Sequence, residues 1–277
     1  MSKRIHFTSA FPSFRSGFAF ACLPALLVAG ALGLGCDDDK EQELLAKTAV
    51  DAAKPVAAVT AAPVYDAGPP KVKIVCGSGP EVDFHGNAPL EAEVLRKLGR
   101  DGGALTRGDL AKIKSVNLSQ ATINELDPCV FPLFTGVKDL FLGPGDLDNL
   151  TPISTLTQLI TLRASINKVS DVSPLAKMTQ MDRLDLGRTA VHDVTPLANM
   201  VALTELQLDE TEVTDLTPLA TCKNLERLSI RNTPVVDVSP LKNAKKLRYL
   251  YIEGTPVADT NVLSALTGLK IVRKGRM

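Results

Sequence analysis

Five cysteines, three histidines and a scatter of paired acids are the side chains of this chain that could do chemistry. Catalysis by such groups needs them at set spacings, and none of the usual arrangements occurs. There is no Gly-x-Ser-x-Gly, no phosphate-cradling glycine loop, no His-Glu-x-x-His and no Cys–His pair at a workable separation. His6 lies in an N-terminal apolar segment, and His85 and His192 stand far apart outside any recognisable ligand spacing, so no metal site is expected. Paired acids such as Asp209-Glu210 fall on regularly recurring positions, where a solvated face is the ordinary explanation. No catalytic, cofactor-binding or metal-binding residue is assigned, and the chain is read as a non-enzyme that needs no cofactor.

The cysteines point to export. Lys3, Arg4 and Arg15 precede an uncharged apolar run in residues 17–35, which reads as a targeting segment over 1–35. The run ends Leu32-Gly33-Leu34-Gly35-Cys36 and is followed at once by three aspartates. Small residues before a cysteine at the polar edge of an apolar run resemble a bacterial lipobox, with Gly33 where an aliphatic residue is usual. That resemblance implies cleavage before Cys36 and a lipid on its thiol. A secretory peptide cut elsewhere, or an uncleaved membrane anchor, would also fit. All three readings export the rest of the chain, to the cell envelope as a membrane-anchored lipoprotein in the first of them. Beyond residue 35 there are 28 basic and 31 acidic residues. That balance gives no footprint for nucleic acid and no polybasic membrane patch, so membrane attachment is expected through Cys36 rather than through the folded part.

Residues 36–73 are rich in Ala, Pro and charge, with no apolar stripe to support a core, and read as a flexible linker. A random coil of that length would span about 33 Å. In the next segment, 74–112, Leu90, Val94, Leu95 and Leu98 recur at helical spacing and Gly99 supplies a stop. Thr106 is placed to N-cap a second short helix through Leu110 and Ile113.

From 113 to 277 the chain repeats. Six blocks of 22 residues start at Val137, Leu159, Met181, Leu203, Leu225 and Leu247 without insertion. Position 4 of the block is always Leu (Leu140, Leu162, Leu184, Leu206, Leu228, Leu250). Position 11 is Leu147 and then Val169, Val191, Val213, Val235 and Val257. An irregular copy from Ile113, with two extra residues near Phe131, precedes them, and a truncated copy from Leu269 follows. With almost no aromatics and no Trp, the core must be aliphatic, which suits stacked layers.

The pattern L-x-x-L-x-L-x-x-T-x-V-x-D-V-[ST]-P-L is similar to the internalin-like class of bacterial leucine-rich repeats. The resemblance covers about residues 89–277, and 89–119 resembles the helical N-terminal cap of such domains. It implies an α/β solenoid: an arc with a concave parallel β-sheet, short 3₁₀ or helical turns on the convex side, and a cap. Leu at positions 4 and 6 would point inward. Thr189, Thr211, Thr233 and Thr255 stand at position 9, where the class usually has Asn, so a ladder of hydroxyls must do the backbone bonding; Asn167 alone keeps the usual residue. The Thr/Ser-Pro pairs at positions 15–16, from Thr151-Pro152 to Ser239-Pro240, should act as hydroxyl N-caps followed by Pro at the first helical position. Asn261-Val262 lacks that pair, which marks a degenerate terminal repeat.

Cys222 falls on an inward position and reads as core. Cys76 and Cys129 flank the cap, and an exported chain permits disulfides. They are expected to pair, pinning the segment before the cap to the solenoid; two unrelated thiols are the alternative. Outward strand positions 3, 5 and 7 would line the concavity. Arg163, Arg183, Asp185, Glu205, Arg227 and Arg231 there would form rows of alternating charge beside Gln207, with Phe141 at one end and Tyr249 and Tyr251 at the other. Self-neutralising solvated rows would explain the charges alone. The exposed tyrosines and arginines favour a protein ligand gripped mainly by the C-terminal half. The function expected is a non-catalytic, envelope-tethered protein-binding module. An envelope-structural or polysaccharide- or peptidoglycan-binding protein is the alternative.

Overall fold

A strand recurring every 22 residues must lie beside its predecessor, and the computed structural model, which describes residues 76–273, has that arrangement. Eight three-residue strands form one open sheet in sequence order, every neighbouring pair parallel. They are β1 (Ser115–Asn117), β2 (Asp139–Phe141), β3 (Thr161–Arg163), β4 (Arg183–Asp185), β5 (Glu205–Gln207), β6 (Arg227–Ser229), β7 (Tyr249–Tyr251) and β8 (Lys270–Val272). Short 3₁₀ turns, from η1 (Phe131–Leu133) to η7 (Asn261–Leu263), return the chain on the convex side. The apolar segment 1–35, Cys36 and the linker 36–73 lie outside the described residues. Among the described residues no helix is long and apolar enough to cross a membrane.

Register explains the repeat. Leu140, Leu162, Leu184, Leu206, Leu228 and Leu250 stand level with one another across β2 to β7, and all are buried. Because successive strand residues face opposite ways, this sends position 4 inward and positions 3 and 5 outward. Positions 1, 6, 11, 14, 17 and 20 complete a continuous aliphatic column that includes Cys222. Burial raises the Cys222 thiol above its ordinary pKa and keeps it a neutral packing group.

The last copy departs from the expected register. Leu250 pairs with Ile271, not Val272, so one residue is missing between Leu269 and the strand.

Two local devices differ from the sequence reading. The hydroxyls at positions 15 do not cap the turns. Thr195, Thr217 and Ser239 are the first residues of their 3₁₀ turns, and the residues before them make no side-chain cap. The cap is the acid two residues earlier, at position 13. Asp171, Asp193, Asp215, Asp237 and Asp259 each accept the backbone N–H of position 15 at 2.7–2.8 Å, and Asn149 does the same for Thr151. Hydrogen bonds from the position-15 side chain and backbone hold the carboxyls of Asp193, Asp215 and Asp237 below the usual range. This also explains why η7 forms without a Ser/Thr-Pro pair: Asp259 still caps it.

The threonines at position 9 bond to backbone, but within their own coil. Thr189, Thr211, Thr233 and Thr255 donate to the carbonyl three residues back at 2.6–2.8 Å. Only Asn167 is long enough to reach the preceding coil, donating to Gly143 O at 3.1 Å. Position 8 takes a left-handed backbone, at Ile166, Arg188, Glu210, Asn232 and Gly254, with φ between 52° and 72°. That conformation lets the ladder continue past the strand, for example Arg188 N–H to Asp209 O at 2.7 Å.

The cap comprises α1 (Ala88–Leu98) and α2 (Arg107–Lys112). Asn87 caps α1 through its side chain, and left-handed Gly99 ends it. Thr106 and Asp109 form a reciprocal capping box on α2. Cys76 and Cys129 are joined by a disulfide with a sequence separation of 53. A loop of that size restricts the unfolded chain by about 4 kcal/mol in the loop-closure model. Beside the bridge, Asp127 accepts from Cys129 N–H at 2.7 Å and lies 2.6 Å from His85 Nδ1. The hydrogen bond to Asp127 raises the His85 pKa above 6.5.

Candidate binding face

Outward side chains of the strands make the concave face, and their lengths shape it. At position 3, Ser115, Asp139 and Thr161 are short, whereas Arg183, Glu205, Arg227 and Tyr249 are long. A hollow of about 370 Å³ opens where short side chains give way to long ones. Phe141 walls one end of it, Arg163, Arg183, Asp185, Glu205 and Gln207 rim it, and Thr161 lies in the floor. Thr161 Oγ1 is buried with no hydrogen-bond partner. Six of the ten residues expected to bind a partner therefore meet around one hollow, spanning β2 to β5.

The other four gather farther along, at β6 and β7. The rings of Tyr249 and Tyr251 stack with centroids 6.4 Å apart and planes 13° from parallel. Arg227 lies 5.4 Å from the Tyr249 ring and Arg231 4.5 Å from that of Tyr251. Lys270 adds a third cation, 5.7 Å from Tyr249. Each tyrosine is half-buried under a cation of its own chain, so this cluster is a prearranged plate rather than a pair of free rings.

Charge pairing across the face is partial. Arg163–Asp185 (3.3 Å) and Arg227–Glu205 (3.2 Å) follow the expected alternation, and Arg231 pairs with Asp209 (3.6 Å). Arg183 instead turns to its chain neighbour Asp182 at 3.5 Å, which breaks the Arg183–Glu205–Arg227 row. Asp209 is the best anchored of these acids, also accepting from the Ser229 hydroxyl and from Arg231 N–H of the next coil. All these pairs are solvent-facing and contribute little to stability, about 0–1 kcal/mol each. Their effect is to hold long side chains in place around the hollow.

Two features of the face were not anticipated from sequence. One is the hollow itself, which lies nearer the N-terminal end than the tyrosines do. The other is a groove of about 340 Å³ between α1 and the first coil, lined by Ala92, Arg96, Leu118 and Ala121 among others. Its lining includes Glu93, a buried acid on α1 that is not one of the helically spaced apolar residues. His85 and His192 take no part in the face: His85 pairs with Asp127, and His192 is exposed.

No family model matches the chain, and no curated protein does. Solved structures do share its fold. Internalin C2 from Listeria monocytogenes superposes with a TM-score of 0.58 at 22% identity, covering 68% of this chain and 93% of that one. A second internalin from the same organism, inlF, gives a TM-score of 0.44 at 21% identity, covering 68% of this chain and 75% of that one. At such identities the first likeness is one of fold: a leucine-rich repeat solenoid of the internalin type.

Proposed function

We propose that this chain is a non-catalytic protein-binding module of the bacterial cell envelope, recognising a protein partner through the concave face of its repeat domain. The observation that carries this is the hollow between β2 and β5: an aromatic wall at Phe141 and a rim of alternating charge held on a rigid sheet. Protein contacts are strongest where an apolar anchor enters a pocket ringed by polar groups. A rigid sheet also spares the ordering cost that loops incur on binding. The fold shared with internalin C2 supports an interaction role without naming a partner. Export and lipidation at Cys36 complete the proposal, and rest on the segment 1–36 alone.

A sugar-binding role is less well supported, because Tyr249 and Tyr251 already carry Arg227 and Arg231 and offer no bare platform. Capture of envelope and secreted proteins by the purified chain tests the proposal. Phe141→Ser with Arg163→Glu should abolish capture at unchanged circular dichroism. Tyr249→Ala with Tyr251→Ala should weaken it less, and equal capture by the first variant would refute the placement.

A further inference from the structure

The near-neutral charge of the folded part conceals a strong segregation. Each coil has two flanks beside the concave face, one leading into the strand (positions 18–22 and 1–2) and one leaving it (positions 7–14). The leaving flank holds the aspartates of position 13 together with Asp146, Glu210, Glu212 and Glu253. The entering flank holds only Asp182 and Glu226 as acids within the six regular blocks, and its cations crowd the C-terminal coils.

Lys223, Lys242, Lys245, Lys246 and Arg248 are all exposed there, and no acid occurs between Asp237 and Glu253. Among the described residues, no carboxylate lies within 4.0 Å of any of the five. Lys246 meets only Asn224, at 2.8 Å. By contrast, Arg163, Arg183, Arg227 and Arg231 of the concave face and Arg96 and Lys97 of α1 are paired with acids. Five unpaired cations on adjacent coils, which rise about 4.8 Å apart, form a focused positive field. Val201, 56% exposed, stands at position 21 of the preceding coil, on the same flank.

We propose that this flank seats the repeat domain on an anionic phospholipid surface, independently of the concave face. Its chemistry favours headgroups over nucleic acid. Four of the five cations are lysines, hydrated point charges suited to a diffuse anionic surface rather than to forked recognition. The flank carries no aromatic on which a base could stack. Each lysine near an anionic bilayer is worth about a fivefold gain in partitioning. Seated this way, the solenoid would stand on one flank and present its concavity sideways, open to a partner.

Residue-resolved lysine acylation of the full chain, read by mass spectrometry with vesicles present, tests this. Per-residue protection is the readout because the apolar run in 1–35 can bring the chain to any bilayer. Vesicles of phosphatidylcholine with phosphatidylglycerol should protect Lys223, Lys242, Lys245 and Lys246 while Lys112 and Lys168 stay reactive. Pure phosphatidylcholine, or high salt, should remove that protection. In K242Q/K245Q/K246Q/R248Q, protection of Lys223 should fall by more than about tenfold. Equal protection on both vesicle types, or none on the anionic ones, would overturn the proposal. Protection by soluble polyphosphate or DNA but not by vesicles would reassign the flank to a soluble polyanion.

Discussion

Glu93 of the cap helix accepts a hydrogen bond from the backbone N–H of Asn117, in the first strand, at 2.9 Å. The first strand of an open sheet has no preceding strand to satisfy it, and this buried carboxylate takes that place. Arg96 chelates the same group at 2.8 and 2.9 Å, and Lys97 stands 3.7 Å away, so the charge is compensated. Glu93→Leu should destabilise the domain by about 1–3 kcal/mol by leaving the N–H unpaired. Glu93→Gln, which keeps an acceptor, should cost less. Urea unfolding midpoints would show the difference, and two variants of equal stability would mean that the contact is incidental.

Acid should loosen the convex side. Asp193, Asp215 and Asp237 titrate lower in the folded chain than their ordinary value of 3.8, because the position-15 hydroxyls and N–H groups bond to the carboxylate. A depressed folded pKa gives stability that is present above 3.8 and is lost as pH falls through the lower folded values. Replacing all three by Asn preserves an acceptor, as Asn149 demonstrates. That variant should lose less of its melting temperature between pH 6 and pH 3 than the parent. An unchanged acid slope would place the sensitivity elsewhere.

Ile166 is the strained member of the position-8 series. It is β-branched yet adopts φ of 60°, and it is 43% exposed, so little burial compensates. Such a conformation costs about 1–3 kcal/mol for a branched residue. Asn232 occupies the same place three coils later with φ of 52°. Ile166→Asn should therefore raise the thermal midpoint, corresponding to about 1 kcal/mol. A lower midpoint would show that the isoleucine side chain packs usefully.

The layer order and inward residues were legible in the sequence because each coil uses the same positions, so Leu140 predicts Leu250. What was not legible depends on geometry within a coil. Asp193 and Thr195 both suit a cap, and only the start of the turn decides between them. Left-handed backbone was hidden because Ile166, Arg188 and Glu210 are not residues that advertise it. The hollow escaped notice because it arises from Thr161 being short beside Arg183, a contrast between strands rather than a motif. Charge counted along the chain also cancelled the segregation of flanks, which appears once Lys223 and Lys245 share a side and Asp215 and Asp237 share the other.

The claim on which the functional account turns is that the hollow at β2 to β5 meets a protein. Photo-crosslinking in intact cells, with a benzoylphenylalanine in place of Gln207 at the rim or of Thr217 on the exposed convex side, addresses it most directly. The account predicts one discrete protein adduct from position 207, lost when Arg163 is changed to Glu, and none from position 217. Adducts from the convex position with none from the rim would contradict it.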